Sequence, residues 1–205
     1  MEIFLVRHGE TEDNVKRIVQ GQADSPLTLL GIERAKRTLS FFAGKKIDML
    51  VSSPLGRAQS TAAIVAEFAG LPISSIVTDE NFQEIDLAEW TKKPAAILKG
   101  KSGDSSYNCY KNRPEQFKPE HGESLLDLQE RTIEGLESVV NNNAELKTIV
   151  IVSHSVAIRT ILLRIEQKGL QDIWKYDLPP ASITKLVFDV DENKFSVDSI
   201  GNIYL

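Results

Sequence analysis

Residues 3–14 read IFLVRHGETEDN, a four-residue apolar run that stops abruptly at charged and small polar residues. A run this short, apolar at every position, predicts a strand buried on both faces, as in a parallel sheet. Two further stretches follow the same plan, TIVIVSHS at 148–155 and DMLVSSP at 48–54. Two of the three end in a histidine, His8 and His154, and the third ends in the polar turn Ser52-Ser53-Pro54. Between them Ile32, Ala35, Leu39 and Phe42 recur at helical spacing, as do Leu125, Leu128, Leu136 and Val139, with Thr28 and Ser124 placed to cap the two helices. Strands alternating with helices predict an α/β fold, a three-layer α/β/α sandwich around a mostly parallel central sheet. In such sheets ligands bind just beyond the carboxyl ends of the strands, which is where Arg7, His8 and His154 stand. Residues 183–190 and 195–200 alternate around Asp191-Glu192-Asn193 and predict a hairpin or two late strands. Residues 90–122 break the pattern, being rich in Lys, Gly, Ser, Asn and Pro, and predict a lid-like excursion carrying a short helix or two.

The composition sets the frame for this fold. A chain of 205 residues, 41% apolar and 26% charged, fits one domain over 1–205 with a substantial core. Its apolar runs are broken well before the roughly 18 positions a bilayer span requires, so no membrane association is expected. The first residues show neither a basic leader nor a small-residue cleavage site, and the expected compartment is the cytoplasm. The lone Cys109 has no intrachain partner and begins no thiolate metal site. A net charge of −5 with mixed signs predicts no nucleic-acid partner, so any anion site must be local. The three histidines, His8, His121 and His154, show no HxH or HxxxH spacing, and no metal site is expected.

The residues at 7–14 have the chemistry that phosphoryl transfer requires. A neutral imidazole such as His8 is nucleophilic near pH 7 and forms a phosphohistidine that water can cleave. Arg7 offers a planar fork suited to phosphate oxygens, Gly9 a backbone that could approach a ligand closely, and Asn14 a neutral donor. Histidines at the ends of two buried strands make coincidence a poor explanation for either one.

The whole chain resembles the histidine phosphatase superfamily, which includes phosphoglycerate mutases and many small-molecule phosphatases. Its hallmark Arg-His-Gly-Glu stands at 7–10, and GQADSPLTLLGIERAK at 21–36 resembles the family's turn and first long helix. SSPLGRAQSTA at 52–62 brings the second arginine as Arg57, and NFQEIDLAEW at 81–90 brings the carboxylate as Glu84. HGESLLDLQERT at 121–132 resembles the opening of the late helix, and VSHSVAIRTIL at 152–162 brings the second histidine as His154. The resemblance implies a phosphoglycerate mutase-like fold, a catalytic set of Arg7, His8, Arg57, Glu84 and His154, and substrate contacts from Arg7, Asn14, Gln20, Gly21, Arg57 and Ser155. It also implies an entrance position for His121. Only the resemblance selects Glu84 over its neighbours Glu80, Asp86 and Glu89. Trp90, Tyr107 and Tyr110 read as packing residues rather than substrate stackers.

Two departures from the family pattern bear on substrate choice. Ser155 stands where many members have glycine, which keeps the backbone donor and adds a hydroxyl. LAEWTKKP at 87–94 replaces a glycine-containing run beside the substrate region. The expectation is therefore a metal-independent and cofactor-free histidine phosphatase, a phosphomonoesterase for a small phosphorylated metabolite such as phosphoserine, α-ribazole phosphate or a sugar phosphate. His8 would attack while Arg7, Arg57, Asn14 and protonated His154 hold the oxygens, with Glu84 as acid and then base. Phosphoglycerate mutase-type transfer and a non-catalytic phospho-ligand module are the alternatives. Mutase chemistry must exclude water, and the excursion is short for that purpose. The substrate is left open by the sequence, and so is a homodimer.

Overall fold

The computed structural model describes residues 1–99 and 106–204, built around a six-stranded sheet. The elements run β1 (Glu2–Arg7), α1 (Glu12–Lys16), α2 (Leu29–Leu39), β2 (Met49–Ser52), α3 (Gly56–Ala69) and β3 (Val77–Thr78). There follow α4 (Ala95–Leu98), α5 (Ser106–Asn112), α6 (Leu125–Asn141), β4 (Thr148–Ser153), α7 (Ser155–Ile165), β5 (Ile183–Asp189) and β6 (Lys194–Asn202). Across the sheet the order is β3-β2-β4-β1-β5-β6. The first four are mutually parallel, and β5 and β6 add an antiparallel edge.

Alternation along the two central strands divides the core. Ile3, Leu5, Ile149 and Ile151 face a cluster with α6 and α7, while Phe4, Val6, Val150 and Val152 face a second cluster with α2 and α3. Helices thus cover both faces, as the uninterrupted apolar runs require. These eight side chains are at most 3% exposed, and each contributes about 1.5–3 kcal/mol by leaving water. Thr28 and Ser124 cap α2 and α6 as expected, the latter in a capping box with Asp127.

Register places the chemistry. Val6 lies opposite Val152 and Arg7 opposite Ser153 in neighbouring parallel strands, so His8 and His154 leave the sheet at the same level. The backbone N–H of His8 extends the ladder by donating to Ser153 O at 3.0 Å.

Three local expectations differ from what forms. β2 begins at Met49 because Asp48 instead accepts from the Lys147 and Thr148 amides at 2.9 and 3.0 Å, tying β2 to the start of β4. Phe42 falls in a 3-10 turn beyond α2, although its ring is fully buried. The two-residue β3 is exposed and too short to alternate, so its pairing with β2 leaves no signal in the sequence. Of the excursion at 90–122, residues 100–105 lie outside the described residues. The remainder carries α4 and α5, and Trp90 packs within 5.8 Å (ring centroids) of Tyr107, Tyr110 and Phe117.

Candidate active site

At the carboxyl ends of β1 and β4, a cavity of about 270 Å³ is lined by Arg7, His8, Asn14, Arg57, Glu84 and Ser155, with Gln20 and Gly21 on the same wall. Every expected contact residue therefore meets in one place except His154, which is fully buried beside His8 with ring centroids 5.2 Å apart. A second cavity, of about 290 Å³, lies between α2 and the C-terminal segment near Arg34, Pro179 and Ile203 and includes none of these residues.

The imidazole of His8 is oriented by its own turn. Nδ1 lies 2.7 Å from Gly9 O. A carbonyl only accepts, so Nδ1 carries the proton and Nε2 keeps its lone pair. Burial, then the charges of Arg57 and Arg7, push the His8 pKa well below its ordinary value, so the ring is neutral at physiological pH. Gly9 is not among the residues that line the cavity. Its N–H donates to Thr61 Oγ1, and an added Cβ would touch Leu27.

His154 was expected to be protonated, and its surroundings oppose that. Burial comes first, followed by Arg57, His8 and Arg7, and together they push its pKa well below the usual value. Nε2 lies 2.8 Å from Ser53 Oγ, while Nδ1 is buried without a partner among the described residues. Because the Leu55 amide donates to Ser53 Oγ, the hydroxyl proton is free to go to Nε2. A neutral His154 can then present Nδ1–H to an anion without acquiring a charge. Ser53 is thus a positioning residue that was not recognised in the sequence, where it reads only as a turn. Ser53→Ala is expected to lower kcat about tenfold, the equivalent of one hydrogen bond of roughly 1.4 kcal/mol, with rescue by Ser53→Thr. Equal impairment of the two variants in steady-state assays would refute this role.

Arg57, on the first turn of α3, is only 1% exposed. Its Nη atoms donate to Ala23 O and Gly21 O at 2.7 and 2.8 Å, and Asp24 lies 3.5 Å away. It therefore braces the 21–24 loop as well as facing the cavity. Gly21 in that loop has φ +51°, and a Cβ there would come within 2.9 Å of Thr91 Oγ1. Arg7 donates to Leu178 O at 2.5 Å, and its pKa is lowered to about 10 by burial and then by Arg159. The Nε atoms of both arginines are buried and unpartnered among the described residues. Each such group costs about 1–3 kcal/mol.

Thr11 organises the neutral donors. Its hydroxyl accepts from Asn14 N and donates to Gln20 Oε1, and its amide donates to Asn14 Oδ1. With both amide oxygens occupied, the NH₂ ends of Asn14 and Gln20 are left for a ligand. Glu84 accepts from Ile85 N, Val156 N and Ala157 N at 3.1–3.2 Å, which fixes its carboxylate against the start of α7. Its rivals do not reach the cavity: Glu80 and Glu89 are exposed, and Asp86 caps Ala88 N. Ser155 takes the first position of α7 without positive φ, so its backbone does not require glycine. Ala88, by contrast, is held at φ +42°. His121 is exposed before α6, away from the cavity wall.

The field in this cavity suits an anion, since Arg7 and Arg57 line it with a neutral His8 and, among the described residues lining it, the single carboxylate of Glu84. Among the described residues no helix is long and apolar enough to cross a membrane.

Comparison with known proteins identifies the family and the fold. A family model described as the histidine phosphatase superfamily (branch 1) matches residues 3–202. A Yersinia pestis protein named as a probable phosphoglycerate mutase, GpmB, is 34% identical over 162 residues, covering 79% of this chain and 73% of that one. Bacillus stearothermophilus YhfR superposes with a TM-score of 0.90 at 30% identity, covering 98% of this chain and 97% of the other. A phosphoserine phosphatase mutant from Entamoeba histolytica in complex with phosphoserine superposes with a TM-score of 0.84 at 28% identity, covering 98% and 96%.

Proposed function

The chain belongs to the histidine phosphatase superfamily, and from that premise we propose that it is a metal-independent phosphomonoesterase working through a phosphohistidine on His8. Its substrate is a small phosphorylated metabolite. The observation that carries this reading is that Arg7, Arg57 and Glu84 line one cavity with His8, whose Nε2 is left free by the contact of Nδ1 with Gly9 O.

In the first proposed step the lone pair of His8 Nε2 attacks phosphorus. The Nε2–P bond forms as the bond from phosphorus to the ester oxygen breaks, and protonated Glu84 gives its proton to the departing alkoxide. Arg7, Arg57, His154 and the amides of Asn14 and Gln20 hold the remaining oxygens, with Ser155 and Gly21 shaping the contact. In the second step water attacks phosphorus, its proton passes to Glu84, and the Nε2–P bond breaks to release phosphate. The proton on His8 Nδ1 stays bonded to Gly9 O throughout. Charge-assisted donors of this kind are worth about 1.5–3 kcal/mol each and matter most where charge concentrates.

Return of the phosphoryl group to a substrate, as in a mutase, requires water to be kept out. Lys111 at the cavity rim is exposed, which favours hydrolysis. The reaction is proposed to run in the cytosol, where a lone thiol stays reduced. Para-nitrophenyl phosphate assayed with excess chelator tests the proposal. Phosphate release that withstands chelation is expected, whereas activity that disappears with chelator and returns with a divalent ion would overturn it.

A further inference from the structure

The mechanism above leaves two cations in the same cavity unused. Arg159, one turn after Ser155 on α7, directs Nη1 to Ser155 Oγ and both Nε and Nη2 to Tyr176 O, all of them neutral acceptors. Lys111, at the end of α5, has no ion pair among the described residues, and its Nζ lies 3.8 Å from the centroid of the Trp174 ring. The Cζ of Arg159 stands 5.5 Å from the same ring. Lys111, Arg159 and Trp174 all line the cavity that contains His8. Glu84 and Asp177 act on Arg159 only through space, and neither forms an ion pair with it.

Two like charges on one indole repel each other, and the structure holds them there deliberately. Trp174 Nε1 donates to Tyr110 O at 3.1 Å and the two rings pack 5.1 Å apart, which fixes α5, and with it Lys111, against the 170–175 turn. Arg159 is kept in place by its three donations. A phosphoryl group at His8 is already served by Arg7 and Arg57, so the Lys111–Arg159 pair is surplus to the transferred group. Fork and ammonium on one aromatic wall suit a carboxylate.

Resting on the proposed phosphatase reading, we propose that Lys111 and Arg159 form a second anion subsite, and that the physiological substrate is a phosphate monoester carrying a carboxylate on the same small molecule. The carboxylate seats between the ammonium and the guanidinium while the ester phosphate points to His8. Phosphate esters of neutral alcohols fill only half of the site.

Matched ligands that differ only at the second group provide the test: 3-phosphoglycerate against glycerol 3-phosphate, and O-phosphoserine against phosphoethanolamine. Binding is measured by calorimetry on the His8→Ala protein, with and without Lys111→Met and Lys111→Glu, so that no turnover is needed. In at least one pair the carboxylate ligand is expected to bind on the order of 10- to 100-fold more tightly, as charge-assisted contacts imply. Lys111→Met should cut that ratio about tenfold and Lys111→Glu should abolish it. Ratios below about threefold in both pairs, or ratios unchanged in Lys111→Glu, would overturn the subsite. The failure of the phosphatase reading shows separately, as absence of para-nitrophenyl phosphate hydrolysis by the wild type. Because Lys111 is exposed, its variants can be expected to fold, and circular dichroism checks that they do.

Discussion

His8→Ala is expected to fold and to lose turnover by on the order of 10⁴-fold or more, the scale on which removal of a nucleophile acts. Among the described residues the side chain makes a single hydrogen bond, to Gly9 O, so its loss breaks no network there. The same variant should change how stability responds to acid. His8 and His154 both have folded-state pKa values well below 6.5. Below about pH 6.5 the unfolded chain therefore takes up protons at these two positions that the folded chain refuses. Unfolding free energy must then fall as pH falls, by up to about 1.4 kcal/mol per pH unit for each histidine, and neither contributes above that range. Between about pH 5 and 6.5, above the ordinary carboxylate range, His8→Ala should show roughly half the wild-type slope in urea midpoints. An unchanged slope would mean that His8 is not buried in its neutral form.

Glu84→Gln is the second large effect, and its pattern says more than its size. Glutamine keeps one oxygen, which can still accept from the Ile85 and Ala157 amides, and loses only the bond from Val156 N, so the start of α7 should largely hold. Removal of an acid–base group costs about 10²–10⁴-fold. With an alkyl phosphate the loss falls on the first step, since an alkoxide leaves poorly without a proton, and no phosphoenzyme builds up. With para-nitrophenyl phosphate the leaving group needs little help, so the slow step becomes attack of water and phosphohistidine accumulates. Equal losses on both substrates with no accumulation would assign Glu84 to binding instead.

The strands and the histidines that end two of them were legible in the sequence because each rests on short-range pattern, whereas most of the contact set came from the family resemblance. An apolar run ending at Arg7 and another ending at Ser153 announce buried strands, and parallel register does the rest. Arg57 as a buried brace was not legible, since an arginine on the first turn of a helix ordinarily faces water. It is withdrawn only because the 21–24 loop folds over it. Thr11 and Ser53 were missed for a related reason: their roles lie in partners nine or about a hundred positions away. Arg159 did leave a signal. Its four-residue spacing from Ser155 puts both on one helix face, but nothing separates it from Arg164 until the start of α7 is known.

The central claim is that the phosphoryl group passes through Nε2 of His8. Rapid mixing of the wild-type protein with para-nitrophenyl phosphate, quenching in alkali, and mass spectrometry of the digested chain tests it directly, because phosphohistidine survives alkali and is lost in acid. The prediction is one phosphoryl group on His8, formed within the first turnover and hydrolysed at the steady-state rate. Steady release of phosphate with His8 never labelled would contradict it.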